Sequence, residues 1–374
     1  MKIAQIAPLW ESVPPRLYGG TERVVSYLTE ELVRQGHEVT LYASGDSQTA
    51  ARLKPACANA LRLNTGLVNR DAPLILMQEQ ALGAEADQFD IIHSHLDFLS
   101  FPMSRRCPTP VLTTLHGRLD LPELVPMFRE YADMQLVSIS NAQRAPLPNA
   151  NWQATVYHGL PDLYVFHPTP GKYLAYLGRI CPEKRPDHAI EIAKRVGMPL
   201  RIAAKVDPVD REYFETQIEP LLDHPLIEYV GEINDAEKCD FLGNAAAVLC
   251  TYDWPEPFGI VLIEALACGT PVFAYRRGSI PEIIDDGVTG FICESMAEMV
   301  AKLDQLPSIN RRRCRDEFQD RFTVERMVKD YLAVYERMAT VPARAHALAQ
   351  TRSLRAVGRK RLTVSEMVTP HGTA

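Results

Sequence analysis

KIAQIA at residues 2–7, Gly19-Gly20 behind a proline-rich loop, a periodic stretch from Thr21 to Gln35 and EVTLYA at 38–43 decide the fold. KIAQIA is short and apolar almost throughout, as a parallel strand covered on both faces must be. Val24, Leu28 and Leu32 recur at helical spacing, and Gly36 suits the position just past a helix end. Thr21 reads as the residue capping that helix. Strand, loop, helix and strand in this order form the unit from which parallel sheets are built.

Outward from that unit, short apolar runs at 90–93, 111–114, 135–139 and 154–157 extend the same sheet. Residues 44–88 lack a clear period and receive no assignment. The stretch Pro161–Gly171 ends in His-Pro-Thr-Pro-Gly and reads as a linker. Alternation then restarts. Strands are predicted at 173–177, 199–204, 227–230, 246–250 and 271–275. Helices are predicted at 186–196, 209–221, 234–245, 259–267 and, briefly, Ser279–Ile284. Further helical patterns cover 295–305, 309–319 and 323–338.

A chain of 374 residues exceeds the ~250–300 at which one hydrophobic core stops growing. The sequence therefore predicts two doubly wound α/β domains, 1–160 and 172–322, followed by a last helix at 323–338. The remainder, 339–374, is locally basic through Arg352, Arg355, Arg359, Lys360 and Arg361. Such a run is either a solvated tail or a contact for an anionic surface or acceptor.

A formal charge of -7 argues against a nucleic-acid partner. The eight cysteines show neither C-x-x-C pairs nor zinc-site spacing, which predicts free thiols in a reducing cytosol. The N-terminus turns polar too soon for a signal peptide, and no apolar run reaches the ~18 residues of a membrane span. The expected location is the cytoplasm, with contact at the inner face of a membrane left open.

Open α/β sheets bind ligands beyond the carboxyl ends of their strands, so those loops hold the candidate site. The first carries Gly19-Gly20-Thr21-Glu22, where the backbone can approach a ligand and the helix presents free N–H groups. It lacks the G-x-G-x-x-G fingerprint of dinucleotide sites, and a tight turn into a helix explains it equally. After strand 173–177 come Gly178, Arg179 and Lys184. Two cations there can hold a diphosphate and stabilise charge on a departing nucleotide; they can also be ordinary surface cations.

The loop after strand 246–250 is the most informative: Glu256-Pro-Phe258-Gly259-Ile260, then Glu264, ending in Gly269-Thr270-Pro271. Amides near Phe258 and Gly259 can face phosphate. Glu264 stands about two turns below the ligand end, among apolar neighbours. A carboxylate there needs a partner, either a ribose diol or a nearby cation. In the following loop Glu282 can cap a helix or touch ligand. His93, His95, Asp97, His116 and His158 fall near strand ends of the first domain without metal-site spacing, so no catalytic metal is expected. His116 suits a polar group lining the cleft.

Together these motifs resemble glycosyltransferase family 4, whose members are retaining enzymes of the GT-B fold. The resemblance covers about residues 1–338. It rests on Glu256–Pro271, which matches the family's E-x7-E element, and on Gly19-Gly20-x-Glu22, His116-Gly117, Gly178-Arg179 with Lys184, and Gly278-x-x-Pro281-Glu282. It implies two Rossmann-like domains facing across a cleft, with the last helix crossing back to the first. It implies that Arg179 and Lys184 hold the donor diphosphate, Glu256 the sugar hydroxyls and Glu264 the ribose. Gly19, Gly20, Gly178 and the Phe258–Ile260 amides would approach phosphate and sugar, and His116 would lie against the donor sugar. The donor expected is a nucleotide-diphosphate sugar resembling UDP-glucose, used without a bound cofactor or metal. The acceptor would be a small molecule, a lipid or a saccharide. The wording near APLWESVPP is similar to a bacterial subgroup that contains a pterin glucosyltransferase.

Two positions depart from the family pattern. Ala203-Ala204-Lys205 stands where Ala-Gly is usual, and His158-Gly159 where Asn-Gly is usual. Other readings share the architecture: a nucleotide-sugar epimerase, a phosphorylase-like enzyme using pyridoxal phosphate, and a protein that binds a nucleotide sugar without transferring it. The oligomeric state is not legible.

Overall fold

A computed structural model describes residues 1–62, 66 and 68–340. The basic segment from 341 onward lies outside the described residues. The first sheet is formed by β1 (Lys2–Ile6), β2 (Glu38–Ala43), β3 (Arg52–Pro55), β4 (Ile91–Ser94), β5 (Val111–Thr114), β6 (Gln135–Ser138) and β7 (Trp152–Thr155). Their spatial order is β3-β2-β1-β4-β5-β6-β7, and every pairing is parallel. Ile3 pairs with Val39 on one side and Ile91 on the other.

The second sheet consists of β8 (Tyr173–Arg179), β9 (Leu200–Lys205), β10 (Ile227–Gly231), β11 (Ala245–Cys250), β12 (Val272–Tyr275) and β13 (Gly290–Cys293). Its order is β10-β9-β8-β11-β12-β13, again parallel. In each sheet the winding reverses beside the first strand, between β1 and β4 and between β8 and β11. The loops leaving these strands diverge and open a crevice at the carboxyl edge. This is the two-domain, Rossmann-like GT-B architecture.

Several elements differ from the sequence reading. β3 and the helix Asp71–Glu79 lie in the unassigned 44–88 stretch. β3 is an edge strand with no buried residue, so its sequence carries no apolar alternation. β13 was not foreseen, being only four residues long, though all four are buried. The expected helix 209–221 is broken, with a π turn at Phe214–Ile218. Pro220 has no N–H for the carbonyl of Thr216, and the chain widens ahead of it. Gly19, not Thr21, occupies the cap of the first helix, Gly20–Arg34, and no side chain caps it.

The last helix, Val324–Ala339, returns to the first domain. Val324, Met327, Val328, Tyr331, Val334, Tyr335 and Met338 form its buried stripe and pack with Val24, Leu28 and Leu32 of the first helix. The spacing is that of an amphipathic helix face. Each buried apolar side chain of this kind contributes about 1.5–3 kcal/mol, enough to fix the helix on the first domain. A parallel bridge joins Leu160 to Thr323, so the outgoing and returning chains cross between domains side by side. The segment read as a linker is held down: the buried Arg311 and Arg315 donate to the carbonyls of His167 and Tyr164. All eight cysteines are free thiols. Among the described residues no helix is long and apolar enough to cross a membrane.

Candidate active site

The carboxyl edges of the two sheets face one cleft of about 480 Å³. The first domain contributes Gly19, Gly20 and His116. The second contributes Gly178, Arg179 and Lys184 from the end of β8, then Glu256, Phe258, Gly259, Ile260 and Glu264 from the loop and helix after β11. These eleven sequence-predicted residues therefore line a single cavity, whereas His93, His95, Asp97 and Glu282 do not.

The loop after β11 is shaped by its glycine. Gly259 has φ 81°, a left-handed conformation that side chains resist, and it caps the helix Ile260–Ala267. Because the helix begins only at Ile260, Glu264 lies about one turn down, not two as the residue count suggested. A second support comes from the loop after β12. The Ser279 amide donates to the Glu256 carbonyl at 3.0 Å and its hydroxyl to the Phe258 carbonyl at 2.7 Å. A side chain at Gly278 would strike the Glu256 backbone, which explains that glycine.

Lys184 and Glu256 form an ion pair, both largely buried. The ammonium also lies 3.8 Å from the Tyr252 ring centroid. Arg179 is a third exposed, with carboxylates of Asp210, Asp207 and Glu183 at 3.5, 3.8 and 3.9 Å. Glu264 is 1% exposed and accepts from the Tyr164 hydroxyl at 2.8 Å and from Lys238 at 3.0 Å. Burial pushes its pKa up, but the charges of Lys238 and Arg23 more than offset this, so it stays ionised below the ordinary range. The cation partner considered from sequence is thus present, and the side chain still reaches the cleft.

His116 rests on a run of histidines. Its Nε2 lies 2.9 Å from His95 Nδ1, and its ring stacks on His158 with centroids 5.5 Å apart. Burial lowers its pKa to about 3, so the ring is neutral at physiological pH. Asp97 accepts from the His116 backbone amide at 2.8 Å, and burial raises its pKa to about 6. Among the described residues no group of three or more His, Cys, Asp or Glu side chains is arranged to hold a metal ion.

Two protein families match the chain. "Glycosyltransferase Family 4" matches residues 18–179 and "Glycosyl transferases group 1" matches residues 165–319. The chain belongs to the family 4 glycosyltransferases. It is 27% identical over 359 residues to N-acetyl-alpha-D-glucosaminyl L-malate synthase of Bacillus anthracis, covering 85% of this chain and 93% of that protein. It is also 27% identical over 338 residues to D-inositol 3-phosphate glycosyltransferase of Mycolicibacterium smegmatis, covering 74% and 75%. Among solved structures, sucrose-phosphate synthase from Thermosynechococcus elongatus superposes with a TM-score of 0.75 at 17% identity, over 91% of this chain and 100% of that one. Anabaena HepE in complex with UDP and glucose superposes with a TM-score of 0.70 at 17% identity, over 90% and 99%.

The glycosyltransferase cleft holds residues that sequence reasoning passed over. Lys205, at the end of β9, lines it and is bound to Asp207 at 2.5 Å. It brings a cation to the place where the sequence showed only a lost glycine, and its position at a strand's carboxyl end was the available signal. Arg23 and Lys238 line the Glu264 end, and Arg23 is paired with Asp235 of the other domain. Their signal was weak, since each stands on a helix amid other polar residues. Glu22, which entered the sequence reading only as part of the Gly19-Gly20-x-Glu22 loop, also lines the cleft, 6% exposed, and burial pushes its pKa up to about 7. Glu282, by contrast, lies outside the cleft. It accepts from the amides of Asn141 and Ala142 at 2.8 and 2.6 Å and from the Tyr157 hydroxyl at 2.9 Å, tying the two domains together.

Proposed function

We propose that the glycosyltransferase moves a hexose from a nucleotide-diphosphate sugar to an acceptor hydroxyl with retention of anomeric configuration. The observation that carries this reading is the convergence of Arg179, Lys184, Glu256 and Glu264 on one interdomain cleft. Glu264 takes the ribose. Arg179, Lys184 and Lys205 take the diphosphate and stabilise the charge it gains on leaving. Glu256, anchored by Lys184, faces the sugar hydroxyls, and His116 meets the sugar from the first domain. In the transfer step the bond from anomeric carbon to diphosphate oxygen breaks and its electron pair stays with the diphosphate. The acceptor oxygen bonds to the same face of that carbon, and its proton passes to the departing phosphate oxygen. Closure of the cleft excludes water and suppresses hydrolysis.

UDP-glucose is the donor to assay first; its support is family resemblance and the fold shared with HepE. The work would be done in the cytoplasm or at the inner face of a membrane. Trp10, Leu17 and Tyr18 line the cleft and are 49%, 40% and 41% exposed, an apolar mouth that supports testing flat aromatic acceptors such as a pterin alongside lipids and saccharides. The test is incubation with nucleotide sugars and candidate acceptors, mass spectrometry of the products and NMR of the anomeric proton. A glycosylated product of unchanged anomeric configuration is expected. Inverted product, or C2 epimerisation of donor alone, would refute the reading.

A further inference from the structure

The buried polar groups beneath His116 form a chain that reaches the last helix. His116 Nε2 lies 2.9 Å from His95 Nδ1, and His95 Nε2 lies 2.9 Å from Gln5 Oε1. Gln5 Nε2 is 3.2 Å from the Tyr335 hydroxyl, which is 2.6 Å from His93 Nδ1. His93 Nε2 in turn is 2.7 Å from Thr114 Oγ1. Gln5, His93, His95, Thr114 and Tyr335 are all essentially inaccessible to solvent.

Such a chain can be polarised in only two ways, and one group decides between them. It is the Gln5 amide, whose nitrogen faces the Tyr335 oxygen while its carbonyl oxygen faces His95 Nε2. The Tyr335 oxygen accepts from the amide nitrogen, and its hydroxyl therefore donates to His93 Nδ1. The Gln5 carbonyl oxygen can only accept, so His95 carries its proton on Nε2. His95 Nδ1 is bare and accepts from His116 Nε2–H. With its one proton used inward, neutral His116 has a lone pair on Nδ1, which has no hydrogen-bond partner among the described residues and belongs to a ring lining the cleft.

We propose that Tyr335, Gln5 and His95 act as positioning residues that lock His116 in the Nε2–H tautomer, making it an obligate hydrogen-bond acceptor toward the ligand. The stacked His158 ring fixes the plane of the imidazole, and Asp97 fixes the backbone beneath it. His95, His158 and Asp97 are the titratable groups in contact with His116, with Arg326 behind His158. Resting on the reading that His116 faces the donor sugar, the proposal deepens it. The sugar must present a hydroxyl hydrogen there, and a donor bearing fluorine or a methyl ether at that position is rejected. Because Tyr335 sits on the returning helix, the lock also depends on that helix being seated.

The experiment is long-range ¹H–¹⁵N NMR of protein labelled at histidine, without ligand. His116 is expected in the Nε2–H form between pH 5 and 8. In Gln5→Met the two tautomers should mix, and kcat should fall about tenfold, as for loss of one hydrogen bond, with KM little changed. Tyr335→Phe should shift the populations in the same direction by less. Should Gln5→Met fail to fold, the wild-type spectrum and Tyr335→Phe decide the matter. An Nδ1–H tautomer in the wild type, or tautomer populations untouched by both variants, would overturn the proposal. A locked Nε2–H ring that no nucleotide sugar perturbs would support the relay and count against the donor-facing reading.

Discussion

Lys184 is seated between the Glu256 carboxylate and the face of Tyr252, 3.8 Å from the ring centroid. The aromatic face and the carboxylate hold a cation in place before any ligand arrives, a preorganised charge in a largely buried site. Lys184→Ala should therefore lower kcat/KM by about 10²–10³, the range for removing one preorganised charge-stabilising group. Lys184→Arg should recover only part of this, since a planar fork does not fill a point-charge seat. Steady-state kinetics with a thermal melt on each variant would separate chemistry from folding, and near-wild-type turnover of Lys184→Ala would remove this residue from the diphosphate.

Glu264 joins the cleft to the core, because its carboxylate accepts from both Lys238 and the Tyr164 hydroxyl. Glu264→Ala is expected to cost about 1–3 kcal/mol of stability, because the buried Tyr164 hydroxyl loses its acceptor while Lys238 keeps Asp235, at 3.3 Å. It should also weaken nucleotide binding by about tenfold or more, each tenfold being 1.4 kcal/mol. Product stereochemistry should be unchanged. Glu264→Gln retains an acceptor oxygen and should be milder in both respects. Calorimetric titration with UDP checks the affinity, and an unaltered value in Glu264→Ala would contradict the ribose role.

The strand-end rule found this site because it depends on topology, which alternating apolar runs reveal. Arg179, Lys184 and Glu256 follow strands whose burial made them unmistakable. β3 escaped because an edge strand with no buried residue leaves no apolar pattern, and β13 because four residues beginning with glycine carry little. Glu264 was misplaced by a turn because counting residues ignored the non-helical Pro257–Gly259. The histidine relay was not legible either. Gln5, His95, His116 and Tyr335 are scattered along the chain, and only folding the last helix onto β1 and β4 brings them within hydrogen-bond reach.

Glu22 carries a pH signature. Burial raises its pKa from 4.5 to about 7. The folded state thus holds a proton that the unfolded chain gives up near pH 4.5. The associated stability is fully present below pH 4.5 and is lost as pH rises toward and through 7. The shift is worth about 3 kcal/mol over that window. Glu22→Gln should abolish this decline and be more stable than wild type at pH 8. Urea denaturation at a series of pH values checks it; parallel curves for the two proteins would show that Glu22 ionises normally in the fold.

Glu282 offers a test of how the domains are held. It receives two backbone amides, Asn141 and Ala142, and the Tyr157 hydroxyl, all from the first domain. Burial and the Glu282 carboxylate together push the Tyr157 pKa up to about 12, so the phenol remains a donor at working pH. Hydrogen bonds to a charged group contribute about 1.5–3 kcal/mol, and the amides lose their acceptor altogether in Glu282→Ala. The contact lies away from the cleft, so a change in function must come through domain geometry and not through lost ligand contact. Glu282→Ala should lower the melting temperature and raise KM for the donor several-fold while leaving the anomeric outcome intact. Small-angle scattering should report a larger radius of gyration for the variant if this tie restrains opening. An unchanged radius and unchanged KM would mean that Arg23–Asp235 and the returning helix suffice to hold the cleft together without it.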